Sequence, residues 1–198
     1  METARLFQSG RSQAVRLPKE FRFTGTDVGV RHFGNGVLLL PLDNPWDTLE
    51  AALSAFEPGF VLAREQPPPQ VRPNICIYII NAKPPEVLAR FRQYRLGEVG
   101  LCSVVAAELA YGVAKSRSAR NKAALEMFLA PLEILPFDTK ALWAYGDLRA
   151  NLERQGQPIG ALDTMIAAHA LSLDAPLVTH NTREFERVPG LRLENWVQ

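Results

Sequence analysis

Cysteine is scarce in this 198-residue chain, with Cys76 and Cys102 the only two. Both sit inside apolar segments, which reads as small core residues and argues against a disulfide framework or a thiolate metal site. Long apolar runs are lacking as well. None approaches the roughly 18–20 residues needed to span a bilayer, so no membrane partner is expected. The opening METARLFQSGRSQ has no apolar stretch of the secretory kind, and a cytoplasmic location is the expectation. A glycine-rich phosphate loop, a paired-histidine metal motif and a Ser-His-Asp spacing are all missing.

What the chain does have is enough apolar content for a core, at 47%. Its length lies between one domain and two. Charge is unevenly placed. Residues 1–31 hold six basic residues (Arg5, Arg11, Arg16, Lys19, Arg22, Arg31) against Glu2, Glu20 and Asp27. Residues 32–73 hold only Arg64 and Arg72 against Asp43, Asp47, Glu50, Glu57 and Glu65. A basic head followed by an acidic stretch suits nucleic acid at one end and a protein at the other, although ordinary surface scatter gives the same count.

Three textures follow one another. In residues 1–45, ETARLF and AVRL alternate as short strands, and GNG precedes VLLLP as in a hairpin. So small a β unit buries little, and a homo-oligomer, a dimer, is expected. Residues 46–73 read as an arm and linker. A helix after Pro45 would put Trp46, Leu49, Leu53 and Phe56 on one face, before a proline-rich run stops it. From residue 74 the texture is α/β. PPEVLARFRQY, SVVAAELAYGVAKS, SARNKAALEMFLAPL, DTKALWAYGDLRANLERQG and ALDTMIAAHALSL are helical by periodicity. EVGLC, EILPF, APLVTH and LRLENW between them are strand candidates, which implies a parallel sheet with helices on both faces and ligands at its carboxyl edge.

The chemistry rests on acids inside apolar helices. Glu108 sits in SVVAAELAYGV and Asp163 in GALDTMIAAHAL. A carboxylate there is costly unless paired, capping or metal-bound. Asp163 also suits the first turn of a helix, where an acid opposes the dipole. Two carboxylates converging at a strand-end cleft would suit Mg²⁺ or Mn²⁺. His169 reads as a packed helix histidine, Asp138 and Ser103 as helix N-caps, and Arg90, Arg92 and Arg95 as a solvated face. His180 lies beside the expected cleft.

Residues 74–198 resemble VapC toxins, the PIN-domain endoribonucleases of bacterial toxin–antitoxin systems. The resemblance is carried by NICIYIINAKPPEV, SVVAAELAYGVAKS, GQPIGALDTMIAAHALSL and LVTHNTREFERVPGLRLENW. Residues 1–70 resemble VapB antitoxins through FQSGRSQAVRLPKEF and FVLAREQPPPQ. The whole chain is therefore similar to an antitoxin and its toxin fused in the order of their genes. The resemblance implies a swapped-hairpin head of the AbrB type whose Arg11, Ser12, Gln13 and Arg16 face operator DNA. It implies an arm whose Arg64, with Arg72 second, enters the toxin cleft and competes with metal. It places the catalytic residues at Glu108, Asp163 and Asn181, the metal (Mg²⁺ or Mn²⁺) on Glu108 and Asp163, and RNA such as tRNA as substrate. It also makes NICIYII a helix capped near Asn74, where periodicity alone reads a buried strand.

One departure stands out. The family's first strand ends in Leu-Asp-Thr before that helix and supplies a metal ligand, and here QVRP takes its place. That strand lies mid-sheet, where proline cannot join the ladder. The nuclease is therefore expected to be impaired, with its first strand missing; whether Phe60–Ala63 fill the gap stays open. Three functions follow: an impaired ribonuclease toxin fused to its inhibitor, a catalytically dead DNA-binding autoregulator, or a remnant that sequesters a related toxin or antitoxin.

Overall fold

The computed structural model describes residues 3–33, 36–62 and 75–197. It divides into two compact units, Met1–Pro45 and Trp46–Gln198.

The first unit is built of two hairpins. Strands β1 (Arg5–Ser9) and β2 (Ser12–Arg16) pair antiparallel with Ser9 opposite Ser12. Only Gly10 and Arg11 are left in the turn, and Gly10 has φ +62°, a value that glycine reaches without strain. Strands β3 (Val28–Phe33) and β4 (Gly36–Pro41) form the second hairpin, Val28 opposite Pro41. Leu6, Phe7, Val15, Val30 and Val37 are all exposed on these strands.

The second unit begins with α1 (Asp47–Ala55). Its apolar face is the one the spacing marks: Trp46, Leu49, Leu53 and Phe56 are all buried, with Leu49 at 0% exposure. Burying each such leucine contributes roughly 1.5–3 kcal/mol. The face packs on α5 (Ala119–Leu129), and Trp46 donates its indole N–H to the Tyr94 carbonyl at 2.8 Å. Asn121 of α5 has no exposed surface and accepts the Glu57 N–H at 2.9 Å, which satisfies the backbone just beyond the helix end.

NICIYII is helical. Helix α2 (Ile75–Ala82) buries Cys76, Ile77, Ile79 and Ile80, an apolar run that a fully packed helix tolerates as well as a strand does. Helices α3 (Pro85–Phe91), α4 (Ser103–Ser116), α6 (Thr139–Arg154) and α7 (Ala161–Ser172) fall within the periodic segments, and α8 (Thr182–Phe185) is a single turn. Asp138 caps α6, accepting the Ala141 N–H at 3.0 Å. Ser103 departs from its expected role. It is the first residue of α4 rather than its cap, and its Oγ accepts the Phe137 N–H at 3.0 Å, tying α4 to the segment before α6.

The expected parallel sheet is present in two separate halves. Strand β5 (Gly100–Cys102) pairs parallel with β6 (Glu133–Leu135), and β7 (Leu177–Val178) with β8 (Leu193–Glu194). Among the described residues no strand joins β5 to β7. Of the segment after α1, residues 56–62 are described and do not bridge them, while Ala63 lies outside the described residues. Phe60 stacks on Phe56, and the Leu62 N–H and C=O are both held by the Asn81 side-chain amide on α2, at 2.9 and 3.0 Å.

Candidate active site

Each acid is placed by a helix. Asp163 lies in the first turn of α7, whose N-cap Gly160 offers no side-chain cap, and it has no exposed surface. The adjacent Thr164 turns its hydroxyl back to the Gly160 carbonyl at 2.9 Å. Glu108 lies midway along α4 and is half-buried. Asn181 follows β7, is 6% exposed, and donates its backbone N–H to the Thr179 hydroxyl at 3.0 Å.

Asp163 and Asn181 line one cavity of about 300 Å³, together with Cys76, Cys102 and His169. The charge of Glu108 acts on the two thiols of that lining. Burial pushes the Cys76 thiol up to about 12, and the negative charge of Glu108 pushes in the same direction. Burial also raises Cys102, with Glu108 adding to it, while the N–H groups of Val104 and Val105 oppose the rise. Asp163 and Asn181 are thus brought to one cavity from α7 and the segment after β7, while Glu108, on α4, is not among its lining residues.

His169 is packed, as its setting in α7 indicates. It is 3% exposed, its Nδ1 is 2.9 Å from Cys102 Sγ, and its ring meets Phe137 edge-on at 5.8 Å. Burial lowers its proton affinity, partly offset by Asp138 and by the Pro136 backbone. His180 stacks on Tyr78 at 5.2 Å, and its buried Nδ1 makes no hydrogen bond. Arg92 is engaged by α1, pairing with Glu50 and lying 3.6 Å from Asp47.

The donor set limits what could be bound. Among the described residues no three His, Cys, Asp or Glu side chains come close enough to enclose a metal. Two carboxylates and a neutral amide suit only a hard ion that keeps much of its water, as Mg²⁺ does.

On the first unit, Arg11, Ser12, Gln13 and Arg16 are all exposed. Arg11 is at the turn, Ser12 and Arg16 share one face of β2, and Gln13 is on the other. The Arg16 guanidinium lies over the Phe7 ring at 5.6 Å. Arg64, Arg72 and Asn74 lie outside the described residues. Sequence reasoning missed Asn81 and Asn121, the two amides that hold the segment after α1; the available signal was an asparagine inside an otherwise apolar helix face.

Comparison with known proteins sets this geometry in context. The PIN domain family matches residues 74–191, and the family described as "Antidote-toxin recognition MazE, bacterial antitoxin" matches residues 6–47. The tRNA(fMet)-specific endonuclease VapC of Shigella flexneri is 47% identical over 124 residues, covering 62% of this chain and 93% of that protein. Virulence-associated protein B of Dichelobacter nodosus is 47% identical over 72 residues, covering 36% of this chain and 95% of that one. Among solved structures, VapBC2 from Rickettsia felis bound to a promoter DNA fragment aligns at 42% identity with a TM-score of 0.59. That match covers 62% of this chain and 94% of the other.

Proposed function

The chain belongs to the PIN-domain family and carries an antitoxin segment ahead of that domain, and from this we propose that it is a fused toxin–antitoxin whose ribonuclease half is impaired. We assign residues 1–45 to the DNA-binding unit, 46–73 to the inhibitory arm and linker, and 74–198 to an N-terminally truncated nuclease. The observation that carries the reading is the fully buried Asp163, lining a cavity with Asn181. Burying a carboxylate is costly unless its charge is offset, and a divalent cation at the cavity is one group that would offset it.

Glu108 and Asp163 would hold a Mg²⁺ or Mn²⁺ ion, with Asn181 as a neutral ligand or a donor toward phosphate. Such an ion would activate water and offset charge at a scissile phosphate. The chain's own residues supply the dry wall and the fixed carboxylates. The family's third acid is missing, because Val71-Arg72-Pro73 stands where Leu-Asp-Thr is expected. A cation at residue 72 would replace a ligand with a competitor for the same carboxylates. Arg64 of the arm is assigned the same inhibitory pairing, in cis or across a dimer.

The test is RNA cleavage, with tRNA as first substrate, by the full-length chain with Mn²⁺. It compares the chain as it stands with the triple substitution Val71→Leu, Arg72→Asp, Pro73→Thr, with and without Arg64→Ala. Recovery of cleavage in the triple variant, abolished again by Glu108→Gln, is the expected result. Equal cleavage before and after repair would remove the case for impairment, and no cleavage from either would remove the case for a nuclease.

A second reading has its own observation. Because the described residues bring no three metal-binding side chains together, the chain is also suited to act as a DNA-binding autoregulator whose PIN half serves assembly. Specific binding to its own upstream DNA by a chain inactive on RNA would select this reading.

A further inference from the structure

His180 stands in the chain between Thr179 and Asn181, two residues that line the cavity of the candidate site. It is partly exposed, and its ring stacks on Tyr78 with centroids 5.2 Å apart and planes 25° from parallel. Tyr78 comes from α2. Its neighbours Cys76, Ile77, Ile79 and Ile80 are buried in the hydrophobic core, whereas Tyr78 lies outside that core and is partly exposed. Two elements far apart in sequence thus build a pair of stacked rings at the surface, next to the amide of the site. The imidazole is also fixed in its edges. Its Nδ1 is buried and makes no hydrogen bond among the described residues. An N–H at that atom would be a buried donor without an acceptor, which is costly. In the neutral ring the proton therefore sits on Nε2. With one face against Tyr78, the exposure of His180 is left to its other face and its Nε2 edge. Arg183, on the same short segment, is exposed and adds a cation.

We propose that Tyr78 and His180 form a stacking platform for one unpaired base of a single-stranded RNA, with the His180 Nε2–H donating to an acceptor on that nucleotide. The role presupposes the nuclease reading and names the pair that positions the nucleotide beside the scissile phosphate. Every base has a π-face, so a stacked platform takes unpaired nucleotides with little regard to sequence. A base inside a duplex has both faces covered by its neighbours, so the platform favours a loop or a free strand. The imidazole acts here through its face and one N–H, and neither depends on whether the acids hold a metal.

The experiment measures binding, with the full-length chain carrying Arg64→Ala to release the arm and Asp163→Asn to prevent cleavage. The probes are six-nucleotide single-stranded RNAs with 2-aminopurine at each position in turn, and the same RNAs with that base removed. Saturable binding should quench the fluorophore at one position, and removing that base should weaken binding roughly fivefold or more. Tyr78→Leu together with His180→Leu should weaken the intact RNA by the same factor and leave the base-free RNA unchanged. His180→Phe keeps a stacking ring and should retain the quenching. Phosphate contacts made by the basic first unit add equally to both RNAs and cancel in the comparison. Equal weakening of intact and base-free RNA would make the pair a packing contact and overturn the proposal. RNA binding without quenching at any position would overturn it as well, on a chain unaltered at residues 78 and 180, and would leave the nuclease reading standing. No binding of any RNA by a chain shown folded by its melting transition would remove the nuclease reading and this role with it.

Discussion

A buried thiol and a buried imidazole report on the candidate site without any substrate. Cys76 is 5% exposed and raised to about 12, and Cys102 is raised as well. At pH 8 neither forms much thiolate, and the thiolate is the reactive species. Alkylation by iodoacetamide should therefore be slow in the folded chain and become fast for both residues in denaturant; rapid labelling of native Cys76 would contradict its placement. His169 gives a pH signature of definite sign. Its folded proton affinity lies below the ordinary value of 6.5, so on acidification the unfolded chain takes up that proton first. Stability should then fall as pH drops through about 6.5 and below, while above it this contribution is fully present. Replacing His169 with Gln should flatten that part of the pH profile measured by urea denaturation.

At the scale of elements, the docking of α1 is the clearest consequence of patterning. Leu53 is 1% exposed, and Leu53→Ala should cost about 2–5 kcal/mol in chemical denaturation. Asn121→Ala should cost about 1–3 kcal/mol, because it leaves the Glu57 N–H without its acceptor. A Leu53→Ala loss below about 1 kcal/mol would mean that α1 is not held on α5. That apolar face was legible from Trp46, Leu49, Leu53 and Phe56, since a helical stripe needs a partner. So was the burial of Asp163, an acid in an otherwise apolar helix whose side chain has no exposed surface. Periodicity failed at NICIYII, where a short run apolar on every side suits a buried helix and a buried strand equally. It was blind to Ser103, whose partner Phe137 is 34 residues away. The cavity depends on how β5 and β7 are set, which no local pattern encodes, and the proline-rich connection before α2 lies outside the described residues.

For the whole molecule, the division into Met1–Pro45 and Trp46–Gln198 lets two activities be measured separately on one chain. The first unit carries exposed Arg11 at the tip of the β1–β2 hairpin and exposed Arg16 at its base. If these arginines meet phosphate, binding to the upstream DNA should weaken steeply with salt. Replacing either with Ala should reduce the slope of log K against log salt by about 1. If Arg16 instead reads a guanine edge, Arg16→Ala should cost about 1–3 kcal/mol on the cognate site and much less on unrelated sequence. Asp163→Asn changes the other unit only and should leave both quantities unchanged, while abolishing any cleavage recovered by repair at residues 71–73. A shift in the salt slope on Asp163→Asn would mean that the nuclease-like half also takes part in holding DNA, and the fusion would then act as one binding body rather than two.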